Sequence, residues 1–165
     1  MRARVPLNVR FMISAAVLLA SIASGTAQET LSGVATYCPD LKQLTTLALA
    51  GNQFATVTGK PREGSFRDTT LPMADWQDCA LYGATTYTCD SYAMKTSQEA
   101  EDALVKTTDQ ILRCLAGAWV EIKDRSSSAY AVLHPARGAA SITLSLDEND
   151  KNEYLVRFTL FLRRP

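Results

Sequence analysis

The chain has 165 residues, with 17 basic and 17 acidic side chains, a single histidine and no net charge at neutral pH. That length, with 47% hydrophobic residues, suits one ordinary domain with a core of its own. The charge balance excludes the basic surface that non-specific nucleic-acid binding requires, and equally a polybasic patch for anionic membranes.

In chain order, Arg2, Arg4 and Arg10 precede an apolar run from Phe11 to Ala23, and no acid appears before Glu29. Small residues at Gly25 and Ala27 complete the pattern of a secretory signal peptide with cleavage after Ala27. The run is shorter than the roughly 20 apolar residues a membrane-spanning helix needs, so export as a soluble protein is expected. The expected organisation is therefore a leader, 1–27, and a single domain, 28–165. Three of the seventeen basic residues leave with the leader, so the domain carries 14 against 17 acidic residues, about −3.

Pro39 to Ala50 predicts a first helix, with proline in its first turn, Leu41, Leu44, Leu47 and Ala48 at helical spacing, and Gly51-Asn52 to stop it. Phe54 to Thr58 is rich in β-branched residues and predicts a short strand. Lys60 to Leu71 is polar, contains proline and glycine and lacks a period, which predicts a long surface loop. Trp76 to Tyr92 predicts a hairpin turning near Gly83-Ala84, which would set Leu81 opposite Tyr87 and Cys79 opposite Cys89 on one face.

Ser97 to Ala118 is the strongest helix signal. Thr96 or Ser97 can cap it, Glu99 and Glu101 suit its first turn, and Ala100, Leu104, Ile111, Cys114, Leu115 and Ala118 form an apolar stripe. Four strands follow: Trp119–Lys123, alternating Val120 and Ile122 against Glu121 and Lys123; Ala129–His134; Ser141–Asp147, with Ile142, Leu144 and Leu146 on one face; and Tyr154–Leu162, with Tyr154, Val156, Phe158, Leu160 and Leu162 on one face. Polar turns between them favour antiparallel pairing. The expected fold class is α+β, two helices on one face of an antiparallel sheet in the order α-βββ-α-ββββ. That order loosely resembles the α-βββ-α-ββ pattern of the small chaperones that serve bacterial type III secretion. The resemblance is one of fold, since those chaperones are cytoplasmic and lack this cysteine set.

All four cysteines, Cys38, Cys79, Cys89 and Cys114, follow the leader, and an even count in an exported domain predicts two disulfides. No pair has the short C-x2-C spacing of a zinc site. The favoured pairing is Cys79–Cys89 across the hairpin and Cys38–Cys114 between the helices. A pairing of each strand cysteine with a helix cysteine is the open alternative.

The residues offer little chemistry. His134 would need a serine or cysteine nearby to act as a base, and the chain has no G-x-S-x-G motif. Gly59 to Ser65 departs from a phosphate-binding loop where that loop needs Lys and Ser/Thr. The acidic run Asp147 to Glu153 has Lys151 at an alternate position and no glycine, so a hairpin turn explains it better than a calcium loop. Asp75, Asp78 and Asp90 flank the hairpin without defining a catalytic pair. Lys60, Arg62 and Arg67 in the long loop, with Arg137 in another, would form a binding rim beside Trp76 if both loops open at one end of the sheet. No cofactor or metal is expected.

These observations lead to an exported envelope protein that acts by binding another protein, as an accessory, inhibitor or immunity-type factor. A small periplasmic hydrolase using carboxylates or His134 and a small-molecule carrier are the alternatives.

Overall fold

A computed structural model of the chain describes residues 35–51 and 54–162. The expected leader and its cleavage site lie outside the described residues.

Helix α1 spans Cys38–Leu49, with proline in its first turn and Leu41, Leu44, Thr45 and Ala48 buried. The chain then departs from expectation. Phe54 adopts a left-handed conformation (φ 49°), and Ala55–Val57 form a 3-10 turn instead of a strand. Phe54 is fully buried with its ring 6.0 Å from that of Tyr87, so burying an aromatic side chain outweighs strand propensity here.

The stretch expected as a loop is mostly a β-hairpin: β1, Thr58–Pro61, pairs antiparallel with β2, Phe66–Thr69. Gly59 is required there, because a Cβ at that position would come within 2.9 Å of the Asp68 Cβ. The segment with the partial look of a phosphate loop is thus the turn of a hairpin. Apolar alternation does not mark these strands because neither has a buried residue, edge strand β1 and its neighbour β2 being partly or fully exposed throughout.

β3, Gln77–Tyr82, and β4, Thr86–Asp90, form the expected hairpin with Leu81 opposite Tyr87. The register shifts between Gln77 and Ala80, and Asp78 in that interval is left-handed (φ 47°), as at a bulge. Cys79 and Cys89 form a disulfide across the hairpin, with Cα atoms 4.1 Å apart.

α2, Ser97–Cys114, starts at a capping box in which Thr96 Oγ1 accepts from the Glu99 amide and the Glu99 carboxylate accepts from the Thr96 amide. Ala100, Leu104, Thr108, Ile111 and Cys114 are buried on one stripe, but the helix stops before Ala118, which is exposed. Left-handed Ala116 and Gly117 end it. Cys38–Cys114 is the second disulfide and ties α1 to α2.

The last four strands are β5, Trp119–Glu121, β6, Tyr130–Pro135, β7, Ala140–Glu148, and β8, Tyr154–Leu162. In β5 the expected facing is reversed. Trp119 is buried and Val120 is half exposed, since the larger indole takes the inward position. The expected inward residues of β7 and β8 hold: Ile142, Leu144, Val156, Phe158 and Leu160 are all buried.

The fold is α+β, with eight antiparallel strands in the order β1-β2-β3-β4-β8-β7-β6-β5. Four strands, not three, precede α2. Two meanders abut where β4 pairs with β8, and α2 carries the chain from the centre to the far edge. Both helices pack on one face, and their buried residues join those of the inward strand positions in one core.

Candidate functional site

With α1 and α2 on one face, no helix among the described residues covers the other face of the sheet. Alternate residues of each strand point to it. Across β2, β3, β4 and β8 the register aligns Phe66 with Tyr82, Tyr82 with Thr86, and Thr86 with Phe161. One row along, Ala80 aligns with Thr88, Thr88 with Thr159, and Thr159 with Thr143 of β7. A further row pairs Asp90 with Arg157.

The three rows differ in chemistry. The first is aromatic: Phe66, Tyr82 and Phe161 are 42%, 51% and 38% exposed, and the Phe66 and Tyr82 rings are 5.1 Å apart. Rings held on paired strands lose little further freedom when something packs on them. The second row presents threonine hydroxyls, of which Thr88 is already committed to the Phe158 carbonyl at 3.1 Å.

The third row is ionic. The Arg157 guanidinium donates to both Asp90 carboxylate oxygens, from Nε at 2.8 Å and Nη2 at 3.1 Å, and meets Asp147 from Nη1 at 2.7 Å. These bonds, above all those from Asp90, raise its pKa against the effect of its partial burial.

A second arginine joins from the β1–β2 turn. Arg62 Nε lies 2.5 Å from Asp68, its Nη1 lies 3.6 Å from Asp78, and its Nη2 donates to the Cys79 carbonyl at 3.4 Å. Asp78 follows Ala80 and Tyr82 on the same face of β3, at the bulge, which brings its carboxylate within reach of Arg62.

These side chains line two neighbouring cavities. One of about 490 Å³ lies over β2, β3, β4 and β8 and includes Arg62, Phe66, Asp78, Tyr82, Asp90 and Arg157. The other, about 620 Å³, shares Asp78, Asp90 and Arg157 and extends to Asp147, Glu148 and Glu153 at the β7–β8 turn. Together they form one groove along the strands. At its far end Asn149 Oδ1 accepts from the Lys151 and Glu153 amides, closing the acidic run into a hairpin turn. Glu153 pairs with Lys95, and that hydrogen bond, then one from Asn149, holds its carboxyl below the usual range.

The residues expected at a rim are dispersed. Arg62 lines the groove. Lys60 lies on edge strand β1, and Arg67 Nη2 donates to the Gly59 carbonyl within the same hairpin. Arg137 sits in the β6–β7 connection, which opens at the same end of the sheet as the β1–β2 turn. Four strand spacings, roughly 19 Å, separate β2 from β7. Trp76 stands at the other end on the helix side, edge-on to Tyr37 at 5.9 Å and Phe158 at 5.8 Å. The tryptophan is half-buried core rather than rim, because its ring fills the space between α1 and β8.

Of the other candidates, Asp78 and Asp90 both reach the groove, whereas Asp75 accepts a hydrogen bond from Thr36. His134 sits on β6 opposite Val120, away from the groove. Among the described residues, no three His, Cys, Asp or Glu side chains are grouped to hold a metal ion, and no helix is long and apolar enough to cross a membrane.

Phe66, Tyr82, Thr88, Arg157 and Thr159 in the groove, and Phe161 beside it, are residues that sequence reasoning missed. Their signal is the polar half of each alternating strand, Thr86-x-Thr88-x-Asp90 and Arg157-x-Thr159-x-Phe161. Alternation identifies which residues share a face, but it leaves open whether that face is covered.

No known protein family, curated protein or solved structure matches the chain. The observed order, four strands before α2 and four after it, departs from the α-βββ-α-ββ pattern of the secretion chaperones.

Proposed function

We propose that the chain is an exported, non-catalytic envelope protein that holds another protein on the open face of its sheet. One observation carries this reading: the face left bare by both helices bears exposed Phe66, Tyr82 and Phe161 beside a groove of braced ion pairs. Clustered aromatics and arginines on a rigid support are the residues that dominate binding energy in protein interfaces. The displaced acidities fit a structural role. Those of Tyr37 and Tyr87 follow from burial in the core, and those of Glu153 and Arg157 from the opposite charges that hold them.

The two disulfides are consistent with an oxidising compartment. We take this, together with the leader-like segment 1–27, as grounds for a periplasmic or secreted location and for a domain beginning near Gln28.

The test is capture from envelope extract of the source cell on the immobilised oxidised protein. A near-equimolar partner is expected, lost on Tyr82→Ala combined with Thr159→Arg and kept on Lys106→Glu of α2. A partner kept by the groove variant, or bare beads in every case, would overturn this reading and direct attention to the carrier and hydrolase alternatives.

A further inference from the structure

The groove is not neutral. Its walls carry the carboxylates of Glu63, Asp78, Asp90, Asp147, Glu148 and Glu153 against only three cations, Arg62, Lys151 and Arg157. Both arginines are occupied, Arg62 by Asp68 and Asp78 and Arg157 by Asp90 and Asp147, and Glu153 is met by Lys95 from outside the walls. The surplus charge therefore rests on acids that face solvent. The Asp78 side chain is 80% exposed, and Glu63 and Glu148 at the two ends of the groove are exposed as well. Placing a second negative charge there costs Coulomb energy, whereas a cation is attracted by two ends of one trough.

Shape points the same way. Thr159 to Glu153 spans six residue steps along β8 and into the turn before it, roughly 20 Å, which an extended segment of about six residues would cover. Such a segment shows alternate side chains to the surface beneath it, so basic residues at every second position would all face the carboxylates. Exposed Phe66 and Tyr82 at one end offer ring faces on which a guanidinium or ammonium group can rest.

We infer that the occupant of the open face is a basic, extended segment of a partner protein, lying along the groove from Tyr82 to Glu148. This rests on the protein-binding reading and names the chemistry of the partner. The arginine–carboxylate pairs brace the groove floor, while Glu63, Asp78 and Glu148 meet the incoming cations.

The experiment measures binding of the oxidised protein to a fluorescent peptide of alternating Arg and Ser, about eight residues long. The same peptide with Glu in place of Arg is the reference. Two double variants reverse the same number of charges: Glu63→Lys with Glu148→Lys at the groove, and Asp102→Lys with Asp109→Lys on α2. Thermal unfolding of each checks its fold.

The Arg peptide is expected to bind, more weakly as salt rises, and the Glu peptide is not. Affinity is expected to fall roughly tenfold in the groove variant and to change less than about twofold in the helix variant. Equal losses in the two variants would mean that net charge alone attracts the peptide, and would overturn the inference. So would indifference of the groove variant, or equal binding of the two peptides. If the partner from envelope extract still depends on Tyr82 and Thr159 when the Arg peptide fails, this inference falls and the binding reading stands.

Discussion

Tyr37 and Tyr87 show how single residues on the helix side of the sheet are committed to packing. Tyr37 is 6% exposed beside Trp76, and Tyr87 is fully buried with its hydroxyl donating to the Leu71 carbonyl at 2.8 Å. Burial raises both pKa values, that of Tyr37 from 10.0 to about 12 and that of Tyr87 further still. A group whose pKa is higher in the folded than in the unfolded chain stabilises the fold below its unfolded value. That stability disappears as pH climbs through the folded value. Stability is therefore expected to hold up to about pH 10 and to be lost between there and pH 12 and above. A spectrophotometric titration of tyrosinate should show two of the six tyrosines ionising only as the fold gives way. Ionisation of all six at pH 10 with the fold intact would contradict the packing described.

Among the elements, α2 has a beginning and an inner face that were legible from the residues alone. Its start follows from Thr96 and Glu99, three residues apart, and its buried stripe from Ala100, Leu104, Ile111 and Cys114. Thr96→Ala removes the side-chain acceptor for the Glu99 amide and is expected to cost about 1 kcal/mol. A lower urea midpoint at unchanged slope would report it. The β1–β2 hairpin is the opposite case. Pro61, Gly64 and a polar composition argue for a loop, and at a sheet edge no buried face imposes alternation. Backbone pairing with β3 supplies what side-chain pattern does not, and Arg62 enters the groove only because that hairpin forms.

At the scale of the molecule, the two disulfides differ in reach, one lying within a paired hairpin of the sheet and the other joining the two helices. Cys79–Cys89 closes a span of 10 residues within one hairpin, whereas Cys38–Cys114 closes 76 and links the helices. On the chain-entropy account, these loops stabilise the fold by about 2.7 and about 4.5 kcal/mol respectively. Replacing Cys38 and Cys114 with alanine is therefore expected to lower stability more than replacing Cys79 and Cys89. Equilibrium unfolding of the two double variants would check the order, and a larger loss in the hairpin variant would refute it. Because neither staple lies in the groove, the hairpin staple removed alone is expected to leave peptide binding close to that of the parent protein.

The residues by themselves determined the fold class, the inward faces of β7 and β8, and the capped start of α2. Each depends on local spacing, through the 3.6-residue and two-residue periods, which survive without knowledge of neighbours. Tertiary structure alone decided the rest. It turned Phe54 inward, put Trp119 rather than Val120 in the core, and moved Trp76 away from the arginines. The groove is of this kind too: Arg62, Asp90 and Arg157 are 28 and 67 residues apart in sequence and meet only where two meanders abut at β4 and β8. Whether a sheet face is bare depends on where both helices dock, and that is a property of the whole packed core.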